Sequence, residues 1–288
     1  MNIHNIGKKI LCRTFPIIMT KYFYRKILGR KLKLKKPETF NEKINWYKLY
    51  FCPQNDLVIQ CTDKFRVREY VEDMYCGDSL NDLIGVWDGV DEINWNSLPQ
   101  RFVLKCNHGC GMNIICPDKT SLDIEETKNR LNKWMKMDWG KESIEPHYSK
   151  IKPKIICEKF IENTLDKESS LPPDIKIHCF NGIPKVIAYY SGRGNDMHGT
   201  FYDVNWNKLD FATKEGSVIS KPICLDKMLL YAEKLSNPFP YVRVDFYECN
   251  NIPVFGELTF TPASGRSPYM TREADEYMGN LLNLKEME

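Results

Sequence analysis

A lysine and two glycines follow a short apolar run in the segment FVLKCNHGCGMN, residues 102–113. Lys105, at the end of a buried strand, would supply a fixed cation, and a loop containing Gly109 and Gly111 would supply backbone N–H groups that can surround phosphate oxygens. The Walker spacing of a P-loop, with its Gly-Lys-Ser/Thr, is absent. Because a tight hairpin also needs glycines, this segment alone leaves phosphate binding and a plain turn both open.

Two carboxylates lie in neighbouring apolar segments near the C-terminus, Asp245 in VRVDF and Glu257 in FGELTFTP. Antiparallel pairing across the turn between them could point both to one side, where they would repel each other unless a cation lay between them. Mg²⁺ is commonly bound by one or two carboxylates together with substrate phosphates. Arg243 would share a strand face with Asp245 and could bind an oxyanion. The alternative is a structural network of these three side chains.

A third candidate is the segment IICEKFIENT, residues 155–164. The backbone of such an exposed edge could hydrogen-bond an adenine, while Phe160 or Ile161 covers the ring. The alternative is a strand with alternating polar residues.

The elements that must position these residues mix helices with antiparallel hairpins. Helices are predicted after Thr39 or Asn41, over 62–75, after Asp123, over 225–237 and at the C-terminus. Strands are predicted in LIGVWD, RFVLKC, NIIC, KIICEKFI, DIKIHCF, PKVIAYY, GTFYDV, YVRVDFYE and IPVFGELTF. Asn181-Gly182 predicts a hairpin turn. This layout is α+β and lacks regular βαβ alternation.

Charge is distributed unevenly along the 288 residues. Eleven of the 41 basic residues lie within residues 1–36, where no Asp or Glu occurs. The other 30 accompany all 38 acidic residues, so residues 37–288 carry about −8. The composition, with 42% hydrophobic and 27% charged residues, is that of a soluble globular protein and disfavours disorder, collagen and coiled coil.

The basic segment 1–36 resembles one or two cationic amphipathic helices. It could pack on the body of the protein, lie on an anionic membrane surface or contact an acidic partner. A nucleic-acid role is disfavoured because no recognised binding module accompanies the charge. A secretory signal is disfavoured too, since Arg13, Pro16 and Lys21 interrupt the apolar stretch. No run approaches the roughly 20 apolar residues of a membrane span, so we expect the protein not to be integral.

Eleven cysteines are scattered through the chain, several of them inside apolar strand-like runs. This distribution favours a reducing cytoplasm. Cys106, His108, Cys110 and Cys116 could suggest zinc, but the second ligand pair of a structural zinc site is missing.

Seven segments occur in a chain order that resembles the ATP-grasp superfamily, and more closely the TupA-like ATP-grasp family of polysaccharide gene clusters. They are KPETFNEKINWYKLY, TDKFRVREYV, FVLKCNHGCGMNII, DIKIHCFNGIPK, FYDVNW, FPYVRVDFY and FGELTFTPASG. The resemblance runs from about Lys33 to the C-terminus. It implies an α+β ATP-grasp fold, with two α+β subdomains whose antiparallel sheets clasp the nucleotide, and the helical basic N-terminal segment precedes them. The expected domains are a basic helical N-terminal region over 1–61, a small subdomain with the glycine loop over 62–157 and a large subdomain with the Mg²⁺-ATP site over 158–288.

The resemblance also implies roles for individual residues. Lys105 would contact the ATP phosphates, and the loop from Asn107 to Asn113 would cover them. The nucleotide-binding set is Lys105, His108, Gly109, Gly111 and the adenine-holding residues Glu158, Lys159, Phe160 and Ile161. The metal and catalytic set is Asp245, Glu257 and Thr259 for Mg²⁺, with Lys176 and Arg243 on the transferring phosphoryl group. Many ATP-grasp enzymes have Asn at the position of Thr259, which puts a second metal site in doubt. The substrate-binding set is Arg193, His198, Ser264 and Arg266.

The activity implied is that of an ATP-dependent ligase, which converts a carboxylate into an acyl phosphate that an amine then attacks. By family analogy the acid would be a uronic acid of a surface polysaccharide or its precursor, and the amine an amino acid or amino alcohol. The alternatives are a glycosyltransferase or a non-catalytic accessory protein of the same pathway. A nucleotide-sugar transferase would more naturally carry an Asp-x-Asp motif, which this chain lacks. We expect a cytoplasmic location, at the inner face of the membrane if residues 1–36 contact it.

Overall fold

The computed structural model describes residues 3–162, 172, 174–191 and 198–284. The helices are α1 (Ile3–Thr14), α2 (Pro16–Leu28), α3 (Phe40–Trp46), α4 (Asp56–Thr62), α5 (Val67–Asp73), α6 (Ile124–Met135), α7 (Trp139–Ser143), α8 (Leu225–Ser236) and α9 (Arg272–Leu281). The strands are β1 (Leu83–Trp87), β2 (Phe102–Cys106), β3 (Asn113–Cys116), β4 (Ile155–Lys159), β5 (Asp174–Phe180), β6 (Ile183–Ser191), β7 (His198–Tyr202), β8 (Lys208–Leu209), β9 (Tyr241–Cys249) and β10 (Ile252–Thr259).

These strands form two antiparallel sheets. The small sheet has the order β1-β4-β2-β3, and the large sheet has the order β10-β9-β5-β6-β7-β8. The glycine loop joins β2 to β3 in the small sheet. The two carboxylate-bearing strands, β9 and β10, lie at one side of the large sheet. The α+β architecture predicted from the sequence is therefore confirmed.

Each sheet has its own apolar core. In the small one, Leu104 and Cys157 of the sheet pack with Leu131 of α6. In the large one, residues of α3, α4, α5, α8 and α9 pack with β5, β6, β9 and β10. The boundary that we expected near residue 62 stays a prediction. The helices on either side of it, α4 and α5, both pack in the core of the large sheet.

Short polar signals set the turns and helix starts. Asn181 and Gly182 both have positive φ and join β5 to β6 in the predicted hairpin. Thr39 begins α3 in a capping box, because its hydroxyl accepts the N–H of Glu42 while that carboxylate accepts the N–H of Thr39. Asp123 caps α6 with its side chain, which accepts the N–H of Glu126.

The helix predicted over 62–75 is shorter in the structure. The carboxylate of Asp63 accepts the N–H groups of Phe65 and Arg66, at 2.8 and 3.2 Å. This bonding holds a turn at 63–66, and the regular helix begins only at Val67. The local side-chain bonds of Asp compete with helix formation here.

The basic N-terminal segment forms α1 and α2 on the surface of the body. Pro16 begins α2, where its missing N–H costs nothing, and Gly29 ends the helix at φ +69°. Met19, Thr20 and Tyr24 are its buried residues. No helix in the described ranges is long and apolar enough to span a bilayer.

One buried carboxylate connects the C-terminal helix α9 to the N-terminal part of the chain. Asp275 of α9 is 1% exposed and accepts hydrogen bonds from the backbone and side-chain amides of Asn41, at 2.7 and 3.0 Å. Arg30 donates to the other oxygen of the same carboxylate. Lys43 donates to the carbonyls of Gly279 and Leu282 at the end of α9, so α3 and α9 satisfy each other's polar groups.

We expect Asp275→Ala to lower the free energy of unfolding by about 2–3 kcal/mol, because it leaves buried donors of Asn41 and Arg30 without an acceptor. Glu276→Ala is the matched control: its carboxylate pairs with Arg272 on the surface and should contribute about 0–1 kcal/mol. Equilibrium denaturation of both variants measures the difference. Equal losses would contradict the role given to Asp275.

Among the histidines whose side chains the structure describes, three are buried: His108, His147 and His178. Burial lowers the pKa of His147 to about 3 and that of His178 well below its ordinary value, and it also lowers the pKa of His108. The native state therefore keeps these rings neutral in mildly acidic solution. The unfolded chain takes up protons below about pH 6.5 that the native state does not, so stability falls as pH falls.

For His147 we expect this loss to amount to about 1.4 kcal/mol per pH unit over the range between its folded and unfolded pKa values. A His147→Gln variant should therefore lose less stability than the wild type as pH falls from about 6 to about 4. Urea unfolding at a series of pH values checks this expectation. Parallel stability curves for the two proteins would refute it.

Candidate functional site

A cleft lies between the two sheets and contains two adjoining cavities. The larger has a volume of about 350 Å³ and the smaller about 170 Å³. Both are lined by Lys105, Asn113, Asp174 and Tyr247, so they form one continuous space. The larger cavity ends at the segment 158–161, and the smaller ends at the glycine loop and Glu257. All three sequence segments that could do chemistry therefore meet in one cleft.

The turn that precedes α5 helps to hold the glycine loop in place. Asn107 is fully buried, and its side-chain amide donates to Asp63 at 2.8 Å and to the carbonyl of Lys152 at 3.0 Å. Its side-chain oxygen accepts the N–H of Lys154 at 2.6 Å. Asn107 thus anchors the loop, whereas Gly111, at φ +70°, lines the cleft.

His108 lies on the far side of this loop. It is 2% exposed, and its Nε2 lies 3.2 Å from the carbonyl oxygen of Trp134 in α6. Neither cavity of the cleft has His108 in its lining within the described ranges. The structure therefore places His108 in the support of the loop, away from the position expected for phosphate contact.

Lys64 connects the loop to the large sheet. Its Nζ donates to the carbonyl of Gly109 at 2.7 Å and lies 4.0 Å from a carboxylate oxygen of Glu257. Lys64 was not among the predicted site residues. The only signal was the pair Asp63-Lys64 ahead of an apolar helix, which does not reveal that the turn faces β10.

Lys105 makes an ion pair with Glu158 on the neighbouring strand β4, at 2.5 Å, and Arg68 lies 3.7 Å from the other oxygen of that carboxylate. In the β2–β4 register Val103 lies opposite Glu158, and Lys105 is two residues further along β2 on the same face of the sheet. The side chains of Lys105 and Glu158 are therefore diagonal neighbours. The side chain of Glu158 is therefore a counter-ion to the cleft lysine.

The end of β4 and the two residues after it form one wall of the larger cavity. The N–H and carbonyl of Lys159 are occupied, by Asp82 at 3.0 Å and by the side chain of Asn81 at 2.7 Å. Phe160 and Ile161 line the cavity directly after them. The Phe160 ring is held by the guanidinium of Arg101, 4.3 Å from the ring centroid.

Asp245 is buried at the centre of the site, at 2% exposure. Arg243 donates to both of its oxygens, at 2.6 and 2.5 Å, and Lys176 donates to one of them at 3.0 Å. Burial alone would raise the pKa of Asp245, but these two cations outweigh it and lower the pKa. The carboxylate is therefore charged, and its charge is matched by two fixed cations.

Glu257 lies directly opposite Asp245 in the β9–β10 pairing, as the antiparallel hairpin predicts. A bulge at Gly256 shifts the register between Phe255 and Glu257. A Cβ at Gly256 would come within 3.0 Å of the carbonyl oxygen of Asp245, so the close approach of the two strands depends on glycine. Thr259 donates to Glu257 at 2.9 Å and accepts from Arg243 at 3.0 Å.

Asp174 completes the centre of the cleft and was not among the predicted site residues. One of its oxygens accepts from Lys176, while Oδ1 is buried with no hydrogen-bond partner in the described part of the structure. Burial raises the pKa of Asp174, despite the opposing effect of Lys176. Burial alone would lower the pKa of Lys176, but Asp174 and Asp245 outweigh it and raise the pKa. The two-residue spacing of Asp174 and Lys176 on one strand was an available signal.

The residues expected to bind substrate are not brought together. Arg193 lies outside the described residues. His198 begins β7, and its Nδ1 lies 3.0 Å from the carbonyl oxygen of Glu215. Ser264 faces the segment just after α3, where its carbonyl and hydroxyl accept from Lys48 at 3.0 and 3.1 Å. Arg266 packs over the Phe23 ring of α2, 5.3 Å from its centroid.

The donor set suits one magnesium ion bound through phosphates. Glu257 is 39% exposed at its side chain and faces the smaller cavity, whereas Asp245 is enclosed by cations. No group of three or more acidic, His or Cys side chains that could hold a metal occurs in the described ranges. Because Mg²⁺ takes one or two carboxylates with substrate phosphates, Glu257 and Asp245 fit an ion that arrives with its ligand. The roles of the site residues remain predictions.

Comparisons with known proteins agree with the segment order described above. The model of the family described as "TupA-like ATPgrasp" matches residues 42–283. Comparison with curated protein sequences gave no match.

Among solved structures, L-amino acid ligase from Bacillus licheniformis is 15% identical, with a TM-score of 0.48, and the match covers 78% of this chain and 51% of that one. D-alanine–D-alanine ligase from Bacillus anthracis, complexed with ATP, is 14% identical, with a TM-score of 0.45, and the match covers 70% and 55%. The chain thus spans about half the length of these structures.

The contact between Lys64 and Gly109 gives a direct test of what holds the glycine loop. We expect Lys64→Met to speed hydrogen–deuterium exchange at the amides of residues 108–112 by about tenfold, since one charge-assisted hydrogen bond is lost. Lys150→Met, which changes an exposed lysine, is the control. Unchanged exchange in the Lys64 variant would contradict the role given to this hydrogen bond.

Proposed function

Because the chain belongs to the TupA-like ATP-grasp family, we propose that it is an ATP-dependent ligase that joins a carboxylate to an amine. The observation that supports this proposal best is the meeting of three lysines, one arginine and three carboxylates in and beside the smaller cavity. They are Lys64, Lys105, Lys176, Arg243, Asp174, Asp245 and Glu257.

ATP would lie along the cleft with its adenine in the larger cavity. Phe160 and Ile161 would contact the ring, and their backbone follows the last hydrogen-bonded residue of β4. The phosphates would occupy the smaller cavity, which is lined by Lys105 and by the loop residues from Cys110 to Asn113. Backbone N–H groups of this loop would surround the phosphate oxygens. The larger cavity, about 350 Å³, is of the size expected for a ligand site, and the smaller one, about 170 Å³, extends it.

The reaction would proceed in two displacements. In the first, an oxygen of the substrate carboxylate forms a bond to the γ-phosphorus of ATP, and the bond to the β-phosphate oxygen breaks, releasing ADP. In the second, the amine forms a bond to the acyl carbon, phosphate leaves with the bonding electrons, and the nitrogen loses a proton. Lys176 and Arg243 would offset the charge on the transferring phosphoryl group.

Mg²⁺, when bound, would supply charge neutralisation at the phosphates. Asp245 and Glu257 would hold it, with the hydroxyl of Thr259 oriented by Arg243. Within the protein, Arg243 and Lys176 balance the charge of Asp245.

For the substrates we propose a uronic acid of a surface polysaccharide, or its nucleotide- or lipid-linked precursor, and an amino acid or amino alcohol. The support is the resemblance to the TupA-like family. We place the reaction in the cytoplasm, which agrees with the lack of disulfides among the cysteines of the described ranges. Membrane contact by residues 1–36 is a separate property that this chemistry does not require.

The test is ADP release from ATP and Mg²⁺ with candidate uronic acids and amines. We expect Glu257→Gln to lower kcat by about 100-fold or more, corresponding to about 3 kcal/mol of lost stabilisation of the transition state. Glu233→Gln, which makes the same change on an exposed position of α8, should leave the rate unchanged.

Hydroxylamine in place of the amine gives a second readout, because it converts an acyl phosphate into a hydroxamate that mass spectrometry detects. Hydroxamate formation that requires ATP and the acid would support the acyl phosphate. Failure of the wild-type protein to bind ATP with Mg²⁺ in calorimetry would overturn the proposal as a whole.

A further inference from the structure

One face of α2 is exposed although it carries large apolar side chains. Ile18 is 63% exposed and Tyr22 is 53% exposed. Lys21, Arg25 and Lys26 are exposed around them. At 100° per residue these five positions fall within an arc of about 140°, which we name the outer face of α2.

The cations of the outer face have no acidic partner among the residues that the structure describes. No ion pair from Lys21, Arg25 or Lys26 occurs in the described part of the chain, whereas Arg30 pairs with Asp275 and Lys33 pairs with Glu38. No Asp or Glu occurs among residues 1–36. The positive charge of the outer face is therefore directed to solvent.

The opposite side of α2 already provides its packing. Met19 is buried with Cys12 and Ile144, and Tyr24 is fully buried. The fold thus uses one side of the helix and gains nothing from the exposure of Ile18 and Tyr22. Leu11 and Phe15, just before α2, are 45% and 50% exposed and extend the same mixture of apolar and basic surface.

We propose that the outer face of α2 docks on an anionic lipid bilayer. Ile18 and Tyr22 would enter the interface between headgroups and acyl chains, while the stems of Lys21, Arg25 and Lys26 keep their charges at the lipid phosphates. Apolar insertion and electrostatic attraction are each weak alone, and stable membrane binding generally needs two such signals.

The charge distribution also sets the orientation of the docked protein. Residues 1–36 carry eleven basic side chains and the remaining residues about −8, so an anionic surface attracts the first part and repels the second. A bilayer suits this face because Ile18 and Tyr22 lie side by side at its centre with basic side chains on both flanks, which is the arrangement of a helix that lies in a membrane interface. The main competing occupant is the acidic body of a second copy of this chain.

The test is sedimentation of the full-length protein with lipid vesicles, and it is independent of the proposed ligase activity. We expect binding to vesicles that contain phosphatidylglycerol and not to phosphatidylcholine vesicles, and we expect added salt to weaken it. The double variants Ile18→Ser/Tyr22→Ser and Lys21→Gln/Arg25→Gln should each lower the partition coefficient by about tenfold.

Lys133→Gln/Lys136→Gln, which neutralises two exposed lysines of the body, is the matched control and should bind like the wild type. Thermal unfolding of each variant checks that the fold is intact. Absence of binding to anionic vesicles, or equal losses in the control, would overturn the proposal. Salt-sensitive self-association in light scattering without lipid binding would assign the face to a second copy instead.

Discussion

The structure depends on a buried carboxylate held between two cations. Asp245, enclosed between β5, β9 and β10, keeps its charge only because Arg243 grips both oxygens and Lys176 approaches from the adjacent strand. An isolated charge at this depth would be neutralised or would destabilise the fold. The three strands must therefore pair in one register, and that register also brings Glu257 opposite Asp245 and Lys176 beside it.

The same charges connect the two halves of the cleft. Lys64, in the turn before α5, contacts both the glycine loop of the small sheet and Glu257 of the large one. Lys105 is balanced by Glu158 within the small sheet. Each cation of the cleft thus has a protein partner that an anionic ligand could replace. Such a site exchanges partners on binding and need not bring unpaired charges together first, which lowers the cost of preorganisation.

Much of this arrangement follows from the sequence because it is local. The spacing of Arg243 and Asp245 fixes their common face, the hairpin fixes Glu257 opposite, and Asn181-Gly182 fixes its own turn. The placements of His108, Ser264 and Lys64 depend instead on contacts with residues far along the chain, such as Trp134, Lys48 and Glu257. A glycine loop shows that backbone can approach a ligand, but not which of its side chains face inward.

The contacts of α3 also bear on the order in which the chain acquires its structure during synthesis. Asn41, Asn45 and Lys48 find their partners in Asp275, Gly265 and Ser264, more than 200 residues later. When the segment 41–48 leaves the ribosome, its polar side chains have none of these partners and must remain hydrated until residues 264–275 emerge. The packing of this segment is thus completed late, although it is translated early.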